Sequence, residues 1–277
     1  MKIDSLSSSA ILNNGVTMPW LGLGTYLTPP GSIAEQSCKW ALEAGYRHID
    51  TAAFYKNEEN IGRSVRESGI PRQDVFVTTK CWNDDMRALT VAEALDRSLK
   101  LLGMDHVDLY LLHWPVKGKY VECWQIMEKI YKQGKARAIG VSNFFIHHIE
   151  DVLKIASVVP AVNQVEWHPL ARQQPLVDFC QNKGIIFEAW APLIQGKVGE
   201  IPEIVAIAKA HKKSPAQVAI RWGLQHDVVM IPKSVKKERI LENADVFDFQ
   251  LTPDEMRRID ALDKNQRVGP NPDKFNF

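Results

Sequence analysis

The sequence predicts an α/β fold that closes into a (β/α)8 barrel, preceded by an N-terminal β-hairpin and followed by an extra C-terminal helix. Three observations carry this. Eight short β-rich runs alternate with amphipathic stretches along the whole chain, a pattern that requires parallel strands joined by right-handed crossovers. The open, doubly wound alternative lacks its phosphate-binding fingerprint: the nearest string, Gly22-Leu-Gly24-Thr-Tyr-Leu27, has no third glycine, and no G-x-x-x-x-G-K-[ST] occurs. No Pro-, Ser- or Gly-rich stretch is long enough to divide residues 1–277, so one domain is expected.

In chain order, Asn14-Gly15 marks the hairpin turn. The eight strands are expected at Leu21–Gly24, Tyr46–Asp50, Val75–Lys80, Val107–His113, Ala136–Val141, Ala161–Glu166, Ile185–Trp190 and Val228–Ile231. Between them, Ser32-Ile-Ala-Glu35 and Thr90-Val-Ala-Glu93 read as capping boxes, and Gly45 and Gly103 stand where a helix ends in a left-handed residue. Ile149, Val152, Leu153 and Ala156 form one apolar helical stripe. Ser214-Pro-Ala-Gln217 and Thr252-Pro-Asp-Glu255 each start a helix with Pro at the first position, and the second of these follows the eighth strand.

Composition narrows the function. Thirty-four Lys+Arg against thirty-three Asp+Glu leave a net charge of +1, so no global field attracts nucleic acid or an anionic membrane. The N-terminus has no apolar leader run and no segment approaches the ~20 apolar residues of a membrane span, which favours a cytoplasmic protein. Cys38, Cys81, Cys123 and Cys180 are far apart with no C-x-x-C, and are expected to be reduced packing thiols.

In such a barrel, chemistry gathers at the carboxyl ends of the strands. Those ends carry Asp50 with Tyr55 just beyond it, Lys80, His113-Trp114, Ser142-Asn143, Gln164 with Glu166, Trp190, and Lys233-Ser234. Singly, each has a structural explanation as cap, rim or satisfied core donor. Together, Asp50, Lys80 and His113 on three successive strands converge on one mouth, and a buried Lys needs a carboxylate to stay charged. A metal is not expected, since His48, His106, His147, His148, His168, His211 and His226 form no H-E-x-x-H.

A phenol titrates near 10, and a close ammonium lowers that value, so Lys80 is expected to make Tyr55 a usable proton donor while Asp50 holds Lys80 charged. His113 would hydrogen-bond and orient a substrate carbonyl. This describes carbonyl reduction or its reverse, and no side chain supplies hydride, so a nicotinamide cofactor is implied. The densest basic segment, Ile231 to Ile240, offers Lys233, Ser234 and Arg239 to a 2′-phosphate at a helix start, favouring NADP(H). Trp190 would stack on the nicotinamide, with Ser142, Asn143 and Gln164 on its carboxamide. Tyr26, Phe54, Trp82 and Trp114 fall just after strands and would wall an apolar substrate pocket.

The strings GYRHIDTA with Tyr55 and NEE after it, VTTKCW, DLYLLHWP, AIGVSNF, VNQVEWHP, EAWAPL, IPKSVKKERI and the tail RVGPNPDKF resemble the aldo-keto reductases over nearly the whole chain, most closely the short microbial branch of glyoxal and 2,5-diketogluconate reductases. The resemblance implies a TIM barrel, extended NADP(H) without a dinucleotide-binding domain, and a tetrad of Asp50, Tyr55, Lys80 and His113. It also implies cofactor contacts at Ser142, Asn143, Gln164, Trp190, Lys233, Ser234, Val235, Arg239, Glu242 and Asn243, the last two near the adenine. Four positions depart from the common pattern: Cys81 for Leu, Tyr26 for Trp, Ala191 for Ser, and Ile194 for Gly in a shortened loop.

The expectation is therefore an NADPH-dependent reductase of aldehydes and ketones, acting as a monomer on small dicarbonyls, keto-sugars or aromatic aldehydes. Two other classes compete. A protein that keeps the reductase fold as an NADP(H)-sensing interaction module would bind cofactor without turnover. A barrel isomerase or aldolase would use Lys80 as a Schiff base.

Overall fold

The computed structural model describes residues 3–274; Phe275, the last residue of the tail motif, lies outside them. An antiparallel hairpin, β1 (Ser9–Ile11) and β2 (Thr17–Pro19), precedes eight parallel strands. These are β3 (Leu23–Gly24), β4 (His48–Asp50), β5 (Phe76–Cys81), β6 (Val107–Leu112), β7 (Ala136–Ser142), β8 (Val162–Glu166), β9 (Ile186–Trp190) and β10 (Val229–Met230). Consecutive strands are neighbours throughout, and the two ends of the sheet meet where Leu21 bridges Met230 and Gly24 bridges Lys233. Closure requires Gly24, because a Cβ there would sit 2.7 Å from the Ile231 carbonyl oxygen. The (β/α)8 barrel of the sequence reading is present, with every expected strand found.

Eleven helices surround it among the described residues: α1 (Ser32–Glu43), α2 (Glu58–Arg66), α3 (Asn83–Ala88), α4 (Val91–Leu102), α5 (Tyr120–Lys132), α6 (Ile146–Leu153), α7 (Gln174–Asn182), α8 (Pro202–His211), α9 (Pro215–Gln225), α10 (Lys237–Ala244) and α11 (Pro253–Asp260). Every residue of β5 and β6 is buried, as expected of strands with side chains inside the barrel on one face and helices on the other. The boxes at Ser214 and Thr252 form as expected, each hydroxyl accepting the backbone N–H three residues on.

The other two boxes do not form. Gly31, not Ser32, caps α1, and the carboxylate of Glu35 instead accepts from Asn60 and Arg63 of α2. Thr90 caps α4 by position, but its hydroxyl donates to Asp85. In both cases a tertiary partner outcompetes the local bond.

The hairpin closes the amino-terminal end of the barrel, where Asn13 donates to the Pro160 carbonyl at 3.1 Å and Asn14 to that of Arg137 at 2.9 Å. At the same end buried Asp108 accepts from Arg72, Arg137 and the Val77 N–H. After α11 the chain turns back across the opposite, carboxyl end. There the N–H groups of Val268 and Gly269 and the Arg267 guanidinium all engage the buried Glu166 carboxylate. No described helix is long and apolar enough to cross a membrane.

Candidate active site

The carboxyl end of the barrel brings the four expected residues into contact. Lys80, on β5 and wholly buried, donates to Asp50 Oδ1 at 2.6 Å, to the Thr51 carbonyl at 2.9 Å and to Tyr55 Oη at 3.3 Å. Tyr55 reaches it because the chain leaving β4 makes a 3-10 turn, Ala53–Tyr55, ending in a left-handed Lys56. That turn is fixed by Asn57, buried beneath it, which accepts from the Thr51 hydroxyl and donates to the carbonyls of Thr25 and Thr28. The His113 ring lies edge-on to Tyr55 at 5.7 Å between centroids.

Electrostatics assign protonation states. Burial works against charge on Lys80, but Asp50 and then Tyr55 outweigh it and hold its pKa above the ordinary lysine value. A short, charge-assisted bond to Asp50 thus keeps an ammonium in the barrel, leaving no free lone pair for Schiff-base chemistry. Burial, helped by Lys80, holds His113 well below the usual histidine range, so the ring is neutral and has one N–H to offer.

One expectation needs correction. Lys80 does pull the Tyr55 phenol down, but burial pushes harder in the other direction, and with Asp50 and Tyr26 adding to it the net pKa rises to about 12. The amine offsets desolvation rather than producing an acidic phenol.

The expected pocket walls gather around this group. Tyr26 lies 5.1 Å from the Tyr55 ring, Phe54 stacks on Trp82 at 3.8 Å, and Trp82 meets the His113 ring edge-on at 5.2 Å. Tyr26 and Phe54 are exposed at the rim, and Trp114 is half-buried just past His113.

Next to the tetrad, Gln164 Nε2 donates to Asp50 Oδ2 at 2.8 Å. Ser142 spends its proton on the Gln164 carbonyl, and Asn143, in the left-handed region at φ 64°, donates to the carbonyl of His113 and to Ser142 Oγ. Trp190 Nε1 donates to Asn143 Oδ1 at 2.8 Å. Donors here are consumed within the protein, and what Asn143 and Gln164 retain is acceptor capacity, the complement of a carboxamide NH2. Gly269 of the tail lies against the Trp190 ring, where a Cβ would meet Cη2 at 2.3 Å.

Past β10, Lys233 and Arg239 are exposed and make no ion pair with a described residue. Burial of part of its surroundings lowers the Lys233 pKa. Ser234 is buried and its hydroxyl bonds the backbone of Lys236, so it shapes the loop. Val235, Glu242 and Asn243 follow on the same loop and on α10, Asn243 buried and Val235 and Glu242 partly exposed. Lys233 before the N-terminus of α10 and Arg239 in its first turn fit a phosphate. In the preceding loop, Ile194 is held at φ 54°, a conformation β-branched residues rarely adopt.

Among the described residues one trio brings metal-ligand atoms together, His147, His148 and Asp273. His148 Nδ1 accepts the Phe145 N–H, so its Nε2 carries the proton and donates toward Asp273. The trio is a clasp between α6 and the tail. All four cysteines are buried and free, and burial pushes the thiols of Cys38, Cys123 and Cys180 to about 12.

The sequence reading missed Asn57, Thr51, Gly269 and a second buried carboxyl, Glu188. Strand alternation would have found the last, since Glu188 is two residues before Trp190 on β9.

Comparison with known proteins identifies the family. The Aldo/keto reductase family model matches residues 21–264. The chain is 52% identical over 273 residues to glyoxal reductase of Bacillus subtilis (strain 168), covering 99% of each. It is 50% identical over 267 residues to the 9,11-endoperoxide prostaglandin H2 reductase of Trypanosoma cruzi (strain CL Brener), covering 95% of this chain and 94% of that one. The crystal structure of MGS-M4, an aldo-keto reductase from a Medee basin deep-sea metagenome library, superposes with a TM-score of 0.94 at 42% identity, covering 98% of this chain and 100% of that one. The family model spanning most of the barrel, together with relatives that are half identical over nearly the whole chain, places this chain in the aldo/keto reductase family.

Proposed function

We propose that this enzyme reduces aldehydes and ketones to alcohols with NADPH, and that Tyr55 is the proton donor. The observation that carries the reading is the 3.3 Å contact between Lys80 Nζ and Tyr55 Oη, with Asp50 2.6 Å behind the amine. A bound nicotinamide supplies the hydride. The substrate carbonyl sits between Tyr55 and the neutral His113 ring; His113 orients its oxygen, and Tyr55 Oη gives its proton to the oxyanion as it forms. Lys80 stabilises the phenolate left behind, and Asp50 keeps Lys80 charged through the cycle. Trp190 would hold the nicotinamide ring, and the acceptors of Asn143 and Gln164 would receive its carboxamide. Lys233, in a loop shaped by Ser234 and Val235, and Arg239 on α10 would hold the 2′-phosphate, and Glu242 and Asn243 would face the adenine.

Tyr26, Phe54, Trp82 and Trp114 wall an apolar pocket suited to small dicarbonyls, keto-sugars and aromatic aldehydes. We further read the enzyme as a cytoplasmic monomer, whose four buried thiols stay reduced. The test is oxidation of NADPH against a panel of methylglyoxal, diketogluconate and aromatic aldehydes. Tyr55→Phe is expected to lower kcat by ~10²–10⁴; full activity in that variant removes Tyr55 from the mechanism. Lys233→Ala should narrow the preference for NADPH over NADH at least tenfold, as loss of a charge-assisted contact of about 1.5–3 kcal/mol requires.

A further inference from the structure

Glu188 is a buried carboxyl that shares the Gln164 amide with Asp50 and that the mechanism leaves unused. Its side chain is fully enclosed at the centre of β9. Gln164 Nε2 donates to Glu188 Oε2 at 2.9 Å and to Asp50 Oδ2 at 2.8 Å, so one amide nitrogen spans two carboxyl groups. Both of its hydrogens are thereby committed, which settles the carboxamide orientation and leaves Gln164 Oε1 as the atom able to accept from a ligand. Glu188 Oε1 has no hydrogen-bond partner among the described residues, and His48 Nε2 lies 3.6 Å from it.

The charged and titratable groups facing Glu188 are His48 and Asp50 from β4 and Lys80 from β5; β8 contributes the neutral Gln164 and β10 contributes Val229. Burial holds His48 neutral, down to about 3. No free cation therefore belongs to Glu188, since Lys80 is already committed to Asp50.

We propose that Glu188 is a positioning residue, acting through the Gln164 amide on Asp50 and Lys80, and that loss of its proton ends reduction on the alkaline side. This rests on the reading of Tyr55 as proton donor. Burial first, and the Asp50 charge second, push Glu188 up to about 8, so it is predominantly a neutral acid at pH 7. Ionised, it adds a second negative charge within the field of Lys80 and opposes phenolate formation at Tyr55, which slows proton delivery. Tyr55 itself is pushed up to about 12, too high to set that limit.

The experiment compares wild type, Glu188→Gln and Glu188→Leu in two measurements. The first is kcat/KM for NADPH-dependent reduction of methylglyoxal from about pH 6 to about pH 10, where wild type is expected to decline around pH 8. The Gln variant, which still accepts from Gln164 but cannot ionise, should decline at least one pH unit higher. The Leu variant should lose about tenfold at neutral pH, the worth of one hydrogen bond, and Gln should recover most of that loss.

The second measurement is Tm of the protein without cofactor across the same range. A raised carboxyl pKa makes the folded state lose stability as pH climbs from the unfolded value toward the folded one, so wild type should fall more steeply than Gln. Equal Tm slopes overturn the buried ionisation. Unequal slopes with identical alkaline limbs overturn the catalytic role. Unequal slopes in proteins that all fail to turn over NADPH overturn the proposed reductase function while leaving the ionisation intact.

Discussion

Replacing Lys80 by methionine tests the electrostatic core of the site, because the structure fixes what the amine is worth. At the 3.3 Å separation of Lys80 Nζ and Tyr55 Oη, an effective dielectric of about 20 gives ~5 kcal/mol between ammonium and phenolate. Only part of the phenolate charge has developed in the transition state, so only part of this attraction acts on the rate. About 2–3 kcal/mol remains, which corresponds to a fall in kcat on the order of 10². Methionine also strands Asp50 as a buried charge, a loss of about 3–5 kcal/mol that would confuse rate with folding.

The clean comparison is therefore Lys80→Met with Asp50→Asn, which removes both charges and leaves the cavity filled. Stopped-flow reduction at saturating NADPH reports the chemical step, and Tm reports the fold. The expected outcome is a near-native Tm in the double variant with kcat still reduced about a hundredfold. A double variant that folds and turns over within about threefold of wild type would show that the ammonium does not assist proton donation.

Gly269→Ala should drive the tail away from Trp190, because a Cβ 2.3 Å from Cη2 must open to about 3.5–4 Å; weaker NADPH binding in fluorescence titration is the readout. Glu166, although burial opposes it, is held below the ordinary glutamate value by His168, the Val268 N–H and Arg267. Its contribution is full above the unfolded-state pKa and disappears as pH falls through the lower folded one, so Tm should drop on acidification and Glu166→Gln should flatten that drop. Asp108→Ala leaves the buried Val77 N–H unpaired and the partly exposed Arg72 and Arg137 without their shared carboxylate at the far end of the barrel, and should cost about 1–3 kcal/mol in urea denaturation with little change in KM. The four thiols, buried and pushed upward, should resist a thiol-specific reagent until the protein is denatured.

The sequence by itself determined the barrel and singled out the four residues, Asp50, Tyr55, Lys80 and His113, that meet at its mouth. Alternating β and α runs leave little else for a chain of this length to form, and polar groups at strand ends such as Asp50, Lys80 and His113 stand out against runs of valine and leucine. The tertiary structure decided what those groups do to one another. Whether Lys80 makes Tyr55 acidic depends on a competition between desolvation and a 3.3 Å contact, and burial won, a balance that strand periodicity does not contain. The boxes expected at Ser32 and Thr90 were lost to Asn60, Arg63 and Asp85, partners distant in sequence or on a neighbouring helix. Likewise, Gly269 meets Trp190, and Gln164 joins Asp50 to Glu188, across separations that only closure of the sheet brings within hydrogen-bonding or van der Waals range.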